Sequence, residues 1–427
     1  MQRHSILATT IIAITVAGCG VRGTPSTKAS MPTPTAGSAA SVLAARSGTA
    51  PAASQGLGTA VSVLASSKFA AFDAGGVMRF SLPAGVLSGD DHRLVRAEID
   101  GDHTNVDEFG TVDGRRIAAQ SVAGRLDVAA VSFDGTRVAL ADATYTSTAN
   151  GELAPGRTTT RLAVLNVNGS TPLTFSLAGN WSPEAFTAGR NAIAAIEFLP
   201  PEHPTSYRVR IIDLSPTPTP SPPLAWNTKT PLEETMAGVR GSHVLTEQGR
   251  FLYTLYRASG GTAFVHALNL DYGGQYCIDL PTSAGLDHGT GAITASPDGQ
   301  HLYVLSSTGK LITIDTNTAN SNGSGSSNPV VAKLTDLSQV ATAARPSIAV
   351  AGSMLYASLD RHLIAVNLDT GHTAINTTDA VPSAIALEPS SGDLLAANDQ
   401  AIWRIGNTAA TLHLPAGLGQ VTTLYSS

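Results

Sequence analysis

From about residue 60 onward the apolar residues fall in short runs, rich in Val, Ile and Leu and bounded by Gly, Asp, Asn and Pro. The three-and-four spacing of an amphipathic helix is hard to find there, and the pattern predicts an all-β body. The clearest unit runs from Ala292 to Thr316. It predicts three strands, at 293–295, 302–306 and 310–315, separated by the turns Pro297-Asp298-Gly299 and Thr308-Gly309. Glycine suits both turns because it takes positive φ without a Cβ clash. Leu302 and Val304 alternate with Tyr303 and Leu305, so both faces of the middle strand are apolar. A strand of that kind is buried between stacked sheets.

The same grammar returns along the chain. Runs at 131–140, 186–196, 244–255, 348–358 and 385–397 lead to further runs at 161–167, 207–214, 263–270, 363–371 and 401–405. The turn glycines Gly135, Gly189, Gly249, Gly299, Gly352 and Gly392 stand about 40 to 60 residues apart, the repeat length of four-stranded propeller blades. Six units follow from these anchors, and a hairpin around Gly75-Gly76, from Phe69 to Leu82, adds a seventh. Val421 to Tyr425 offers a strand that would close the ring on the first blade and remove an exposed edge. The expectation is a seven-bladed β-propeller of four-stranded antiparallel blades, closed by N- and C-terminal strands. Two β-sandwich domains divided at the Pro-rich stretch 215–223 are the competing architecture, but the repeat spacing continues unchanged across it.

The unit at 292–316 resembles the repeat of the YVTN family of bacterial β-propellers, in Ser296-Pro297-Asp298-Gly299, Leu302-Tyr303-Val304, Gly309-Lys310-Leu311 and Ile314-Asp315-Thr316. Leu305-Ser306 stands where that family has Thr-Asn, and the other units keep only the Gly turn and the apolar pairs. The resemblance implies a seven-bladed propeller of the YVTN or quinoprotein-like kind over residues 60–427. It implies no single function, because propellers of this kind include enzymes, cofactor binders and interaction platforms.

The N-terminus reads as an address. Arg3 precedes an apolar run from Ile6 to Val16, too short to anchor across a bilayer and suited to a signal-peptide core. Val16-Ala17-Gly18-Cys19 follows and resembles the lipobox of bacterial lipoproteins, which implies cleavage after residue 18 and lipidation of Cys19. Residues 19–57 then form a Thr/Pro/Ala/Ser-rich tether and 58–427 the propeller. Every one of the 32 acidic residues lies at or after Asp73, whereas five of the 26 basic residues precede it, so residues 73–427 carry a net charge of −11. The tether, with Arg22, Lys28 and Arg46, can lie on an anionic leaflet that holds the acidic body off.

An acidic balance gives no footprint for a nucleic-acid backbone. Two cysteines, Cys19 and Cys277, exclude a disulfide framework and a Cys-based zinc cluster, and Cys277 reads as a buried, inert thiol. The nucleophile elbow, P-loop and zincin motifs do not occur. Asp100, Asp102 and Asn105 offer oxygens for Ca²⁺, but their spacing departs from an EF-hand loop, and the polar segment 90–108 reads as a solvated inter-blade loop. His288, His362, His372 and His413 are scattered through late turns. Trp181, Trp226 and Trp403 suit blade packing more than a binding mouth, 216–223 reads as a stiff exposed insertion, and 320–327 as a flexible loop.

Taken together the residues predict a monomeric, lipid-anchored envelope protein, held to the membrane through Cys19. Its propeller would bind an envelope protein or small ligand at one face without chemistry, metal or cofactor. The enzyme alternative, a lactonase-like hydrolase or quinoprotein-like oxidoreductase, requires several His, Asp or Glu side chains to converge at one axial mouth.

Overall fold

The computed structural model describes residues 56–426 except 144–152, 225–234, 247–248, 258–261, 272, 287–289, 317–329, 342–344, 389–390 and 406–408. Cys19, Trp226, His288 and the 320–327 loop lie outside the described residues.

Eight four-stranded antiparallel sheets follow one another along the chain, so the ring has eight blades and not the seven expected. Each blade begins with its inner strand and steps outward. The inner strands of blades two to eight are Val86–Leu87, Leu126–Val131, Asn180–Phe186, Val239–Leu245, Gly291–Ala295, Ser347–Ala351 and Ala384–Leu387. Blade one takes its inner strand from the C-terminus: Val421–Ser426 pairs antiparallel with Val61–Ala65, joining Val63 to Leu424. Its other strands are Lys68–Phe72 and Met78–Pro83.

The blade missing from the sequence reading is the second, residues 86–123, whose polar segment is a pair of eight-residue strands, Arg93–Asp100 and His103–Gly110. Along His103–Gly110 the burial alternates, with Thr104, Val106 and Glu108 inside and Asn105 outside. This half-polar pattern is what a blade with one wet face requires, and Arg93 pairs with the buried Glu108.

The first turn of this blade repeats the turns of its neighbours. Ser132 Oγ donates to Asp134 Oδ1 at 2.7 Å and accepts from the Arg137 N–H at 2.9 Å. Ser296 does the same with Asp298 and His301, at 2.5 and 2.9 Å, and Ser88 with Asp90 and Arg93, at 2.5 and 3.0 Å. Gly135 and Gly299 sit at φ 69° and 68° in this turn, and Asp91 holds the equivalent place at φ 59°. An aspartate in the glycine position removed the anchor by which the other blades were counted.

A separate apolar core fills each of the eight seams between blades. Alternate side chains of one strand serve opposite seams: Leu302 and Val304 pack toward blade five, Tyr303 and Leu305 toward blade seven. The two-faced apolar pattern of the sequence follows from this geometry.

The Pro-rich stretch is part of blade four, not an insertion or a domain boundary. Thr219–Pro220 pairs with Ile212 and Asp213 as the outer strand. The Ser221 and Leu224 N–H groups continue the edge to Ile211 and Val209, at 2.7 and 2.9 Å. An outermost strand is where proline's missing donor does least harm.

Candidate binding site at the upper axial mouth

The inner strands all start at one end of the ring, here called upper. The crossovers between blades and the turns between second and third strands lie at that end, and the remaining turns lie at the lower end. A cavity of about 290 Å³ opens at the upper end between blades five and six. Val239, Leu255, Tyr256, Ala263 and Leu286 form its apolar wall, and Arg240, Arg257 and Arg345 its charged rim.

Three different elements supply the arginines. Arg240 is the second residue of the inner strand of blade five, Arg257 ends the next strand of that blade, and Arg345 lies in the crossover just before the inner strand of blade seven. Ser242 Oγ donates to the Gly291 carbonyl at 3.0 Å and ties the inner strands of blades five and six together beside the cavity. Behind the wall stands an aromatic stack, Tyr207 on Tyr256 at 5.3 Å and Tyr256 on Phe264 at 5.4 Å. These rings make the floor stiff.

Arg240 reaches across to blade four and donates to Glu184 Oε1 at 3.0 Å. The Glu184 side chain is 5% exposed and that of Arg240 39%. Burial raises the Glu184 pKa, and the Arg240 charge only partly opposes this. Arg257 and Arg345 form no ion pair with any of the described residues. His243 lies farther along the strand of Arg240; its ring touches solvent but is hemmed in by protein. That confinement, and after it the charges of Arg240 and Arg345, push its pKa down to about 4, so it is neutral at pH 7. The mouth therefore gathers three guanidiniums and one carboxylate, on a body whose overall balance is acidic.

The residues singled out in the sequence do not meet here. Asp100 lies across from His103 at a hairpin tip, Asn105 lies across from Glu98, and the Asp102 carboxylate is 2.6 Å from His103 Nδ1. His362 meets Thr377 at 3.2 Å, His372 lies in the last turn of that same blade, the seventh, and His413 ends the outer strand of blade eight. Among the described residues no group of three His, Cys, Asp or Glu side chains is placed to hold a metal ion. Trp181 is buried in the seam between blades three and four, its Nε1 donating to the Ala178 carbonyl at 2.8 Å, and Trp403 packs between blades seven and eight. Cys277 is buried between blades four and five, with Sγ 3.9 Å from Met236 Sδ.

Sequence reasoning missed the arginines because they are far apart in the chain and each looks like an ordinary surface charge. The only local hint is that Arg240 and Arg257 bracket the two ends of one predicted hairpin.

A larger cavity of about 720 Å³ lies at the lower end, between the first turn of blade four, Gly273 and the Pro-rich outer strand. Its cation Arg190 is accompanied by Asp213, so it lacks the one-signed rim of the upper cavity.

No family model matches this chain, and no curated protein matches it. Solved structures similar to it include the Dos1 propeller, with 10% identity over 84% of this chain and 92% of that one at a TM-score of 0.47. Apo AztD from Citrobacter koseri is 11% identical over 76% and 96% at 0.41. Dihydro-heme d1 dehydrogenase NirN in complex with DHE is 15% identical over 89% and 77% at 0.43. The description of this chain as an eight-bladed propeller rests on its own sheets.

Proposed function

We propose that this chain is a lipid-anchored, extracytoplasmic binding propeller of the bacterial cell envelope, with the upper mouth as its recognition surface. The observation that carries the reading is the cavity rimmed by Arg240, Arg257 and Arg345 on an acidic ring. A concave, mostly apolar site with a few convergent polar groups is the usual form of a binding pocket. The lipobox-like Val16-Ala17-Gly18-Cys19 supports the anchor. Gly58 N–H donates to the Ala74 carbonyl, so the described chain enters the ring at the lower end, which supports an anchor on the side away from the mouth. The enzymatic reading needs several His, Asp or Glu side chains at one mouth, and the described residues bring Glu184 and His243 to this one.

Two experiments test the reading. Cys19→Ala is expected to abolish incorporation of labelled palmitate and to move the protein out of the membrane fraction; unchanged fractionation would refute the anchor. Photo-crosslinking residues placed in cells at Val239 and Thr290, both in the cavity lining, are expected to give one discrete adduct, absent when the probe stands at Thr136 or Gln300 on the lower end. Equal adducts from both ends, or a stoichiometric metal or quinone in the native protein, would overturn the binding reading.

A further inference from the structure

We infer that the upper cavity binds a small organic anion, a carboxylate or a phosphate ester, with an apolar body. The inference rests on the mouth's being a binding site and names its ligand class.

Charge sets one half of that class. Of the three guanidiniums at the rim, only Arg240 faces a carboxylate, the buried Glu184 at 3.0 Å. Arg257 and Arg345 line the opening with no acidic partner among the described residues. Two forked donors held by different blades match the paired oxygens of a carboxylate or phosphate and exclude cations.

Shape sets the other half. Val239, Leu255, Ala263, Leu286 and the ring of Tyr256 line the cavity behind the rim. Its volume of about 290 Å³ stands at the small end of ligand pockets, too small for a large nucleotide and too apolar for a bare inorganic ion. A ligand that fits both halves puts its anionic group between Arg257 and Arg345 and its alkyl or aryl body against Tyr256.

The test is calorimetric titration of the full-length chain in detergent with phenylacetate, hexanoate, phenyl phosphate, acetate and inorganic phosphate. One or more of the first three is expected to bind at least about tenfold tighter than acetate or phosphate, the carboxylates and the ester reporting separately which headgroup is preferred. Arg257→Ala with Arg345→Ala is expected to weaken that binding about tenfold or more, and Arg190→Ala, at the lower cavity, to leave it unchanged. Val239→Trp keeps every charge and fills the cavity from an exposed position, so it is expected to remove the preference for apolar bodies while the protein stays folded. Absence of binding by every probe, or equal binding by wild type and the arginine variant, would overturn the inference. If no probe binds while the crosslinker at Val239 still gives its single adduct, the ligand class fails and the binding mouth stands. If a probe is chemically consumed, the mouth is catalytic and the binding reading itself fails.

Discussion

At the scale of single residues, two aspartate and glutamate positions show how local geometry departs from what residue type suggests. Asp91 occupies a left-handed turn position that Gly135 and Gly299 fill in other blades. Left-handed backbone costs a residue with a Cβ about 1–2 kcal/mol, somewhat less for Asp, and the freedom of glycine in the unfolded chain offsets part of the gain. Asp91→Gly is therefore expected to stabilise the protein by about 0.5 kcal/mol in chemical denaturation. Burial, then the neighbouring Asp90 charge, raises the Asp91 pKa to about 6, His92 opposing them. A carboxyl raised in the folded state contributes stability present below its unfolded pKa and lost as pH rises through about 6. Contact of the side chain with solvent reduces the size of this effect. The gain from Asp91→Gly should accordingly be larger at pH 7 than at pH 4; a gain independent of pH would contradict the assignment.

Glu184 makes the second residue-scale case. Its carboxyl is faced by Arg240 from blade five and by Tyr207 and Tyr256 from the strands around it. Because burial raises its pKa, acidification neutralises Glu184 before the ordinary carboxylates and leaves Arg240 free to meet an anion. Binding of phenyl sulfonate, which stays ionised, is expected to tighten as acidification neutralises Glu184. Glu184→Gln should bind several-fold tighter than the ionised wild type and lose that pH dependence. Arg240 is partly exposed, so removing its partner leaves no fully buried charge. Weaker binding in Glu184→Gln would mean that the carboxylate orients Arg240 for the ligand instead of competing with it.

At the scale of elements, the strand pattern was legible wherever both faces of a strand are apolar, as at Leu302 to Leu305, and the closing strand at Val421 was legible as well. Blade two was not, because its outer strands alternate Asn105 with Val106 and its turn carries Asp91 in place of glycine. Blade four's outer strand was hidden by prolines, which suit an edge but carry no strand signature. The site was not legible at all, since Arg240, Arg257 and Arg345 meet only through the order of blades. Ring closure carries the firmest element-scale expectation. Truncation after Gln420 removes Val421 and Leu424 from the seam between blades eight and one. It also leaves Val61–Ala65 without its inner partner strand, paired only with Lys68–Phe72. Loss of such buried side chains costs on the order of 5 kcal/mol, close to the whole stability of many domains. The truncated chain is expected to lose its cooperative thermal transition, and a melt like that of the intact chain would refute closure by this strand.

For the whole molecule, eight seams of unequal size imply an uneven ring. Three buried side chains, Phe69, Ala71 and Leu94, make the core between blades one and two, against fifteen between blades eight and one. Exposed Val77, Met78, Val86, Val112 and Ile117 also belong to blades one and two. Local opening is expected where apolar contacts are fewest. Amides of Arg93–Asp100 should exchange with deuterium at least about tenfold faster than those of Phe251–Arg257 in blade five. Uniform protection around the ring would contradict a ring held seam by seam. The arginine-rimmed mouth, on this view, sits among the better-packed blades, and the weaker seam lies on the opposite side of the ring.

The central claim is that a cationic mouth on an acidic propeller holds a small anion without transforming it. The most direct measurement is native mass spectrometry of the full-length protein purified gently from the cells that make it, alongside the Arg257→Ala, Arg345→Ala variant. One bound anionic species of small mass is expected on the wild type, and its loss from the variant. The same adduct on both proteins, or a bound metal or quinone instead, would contradict it.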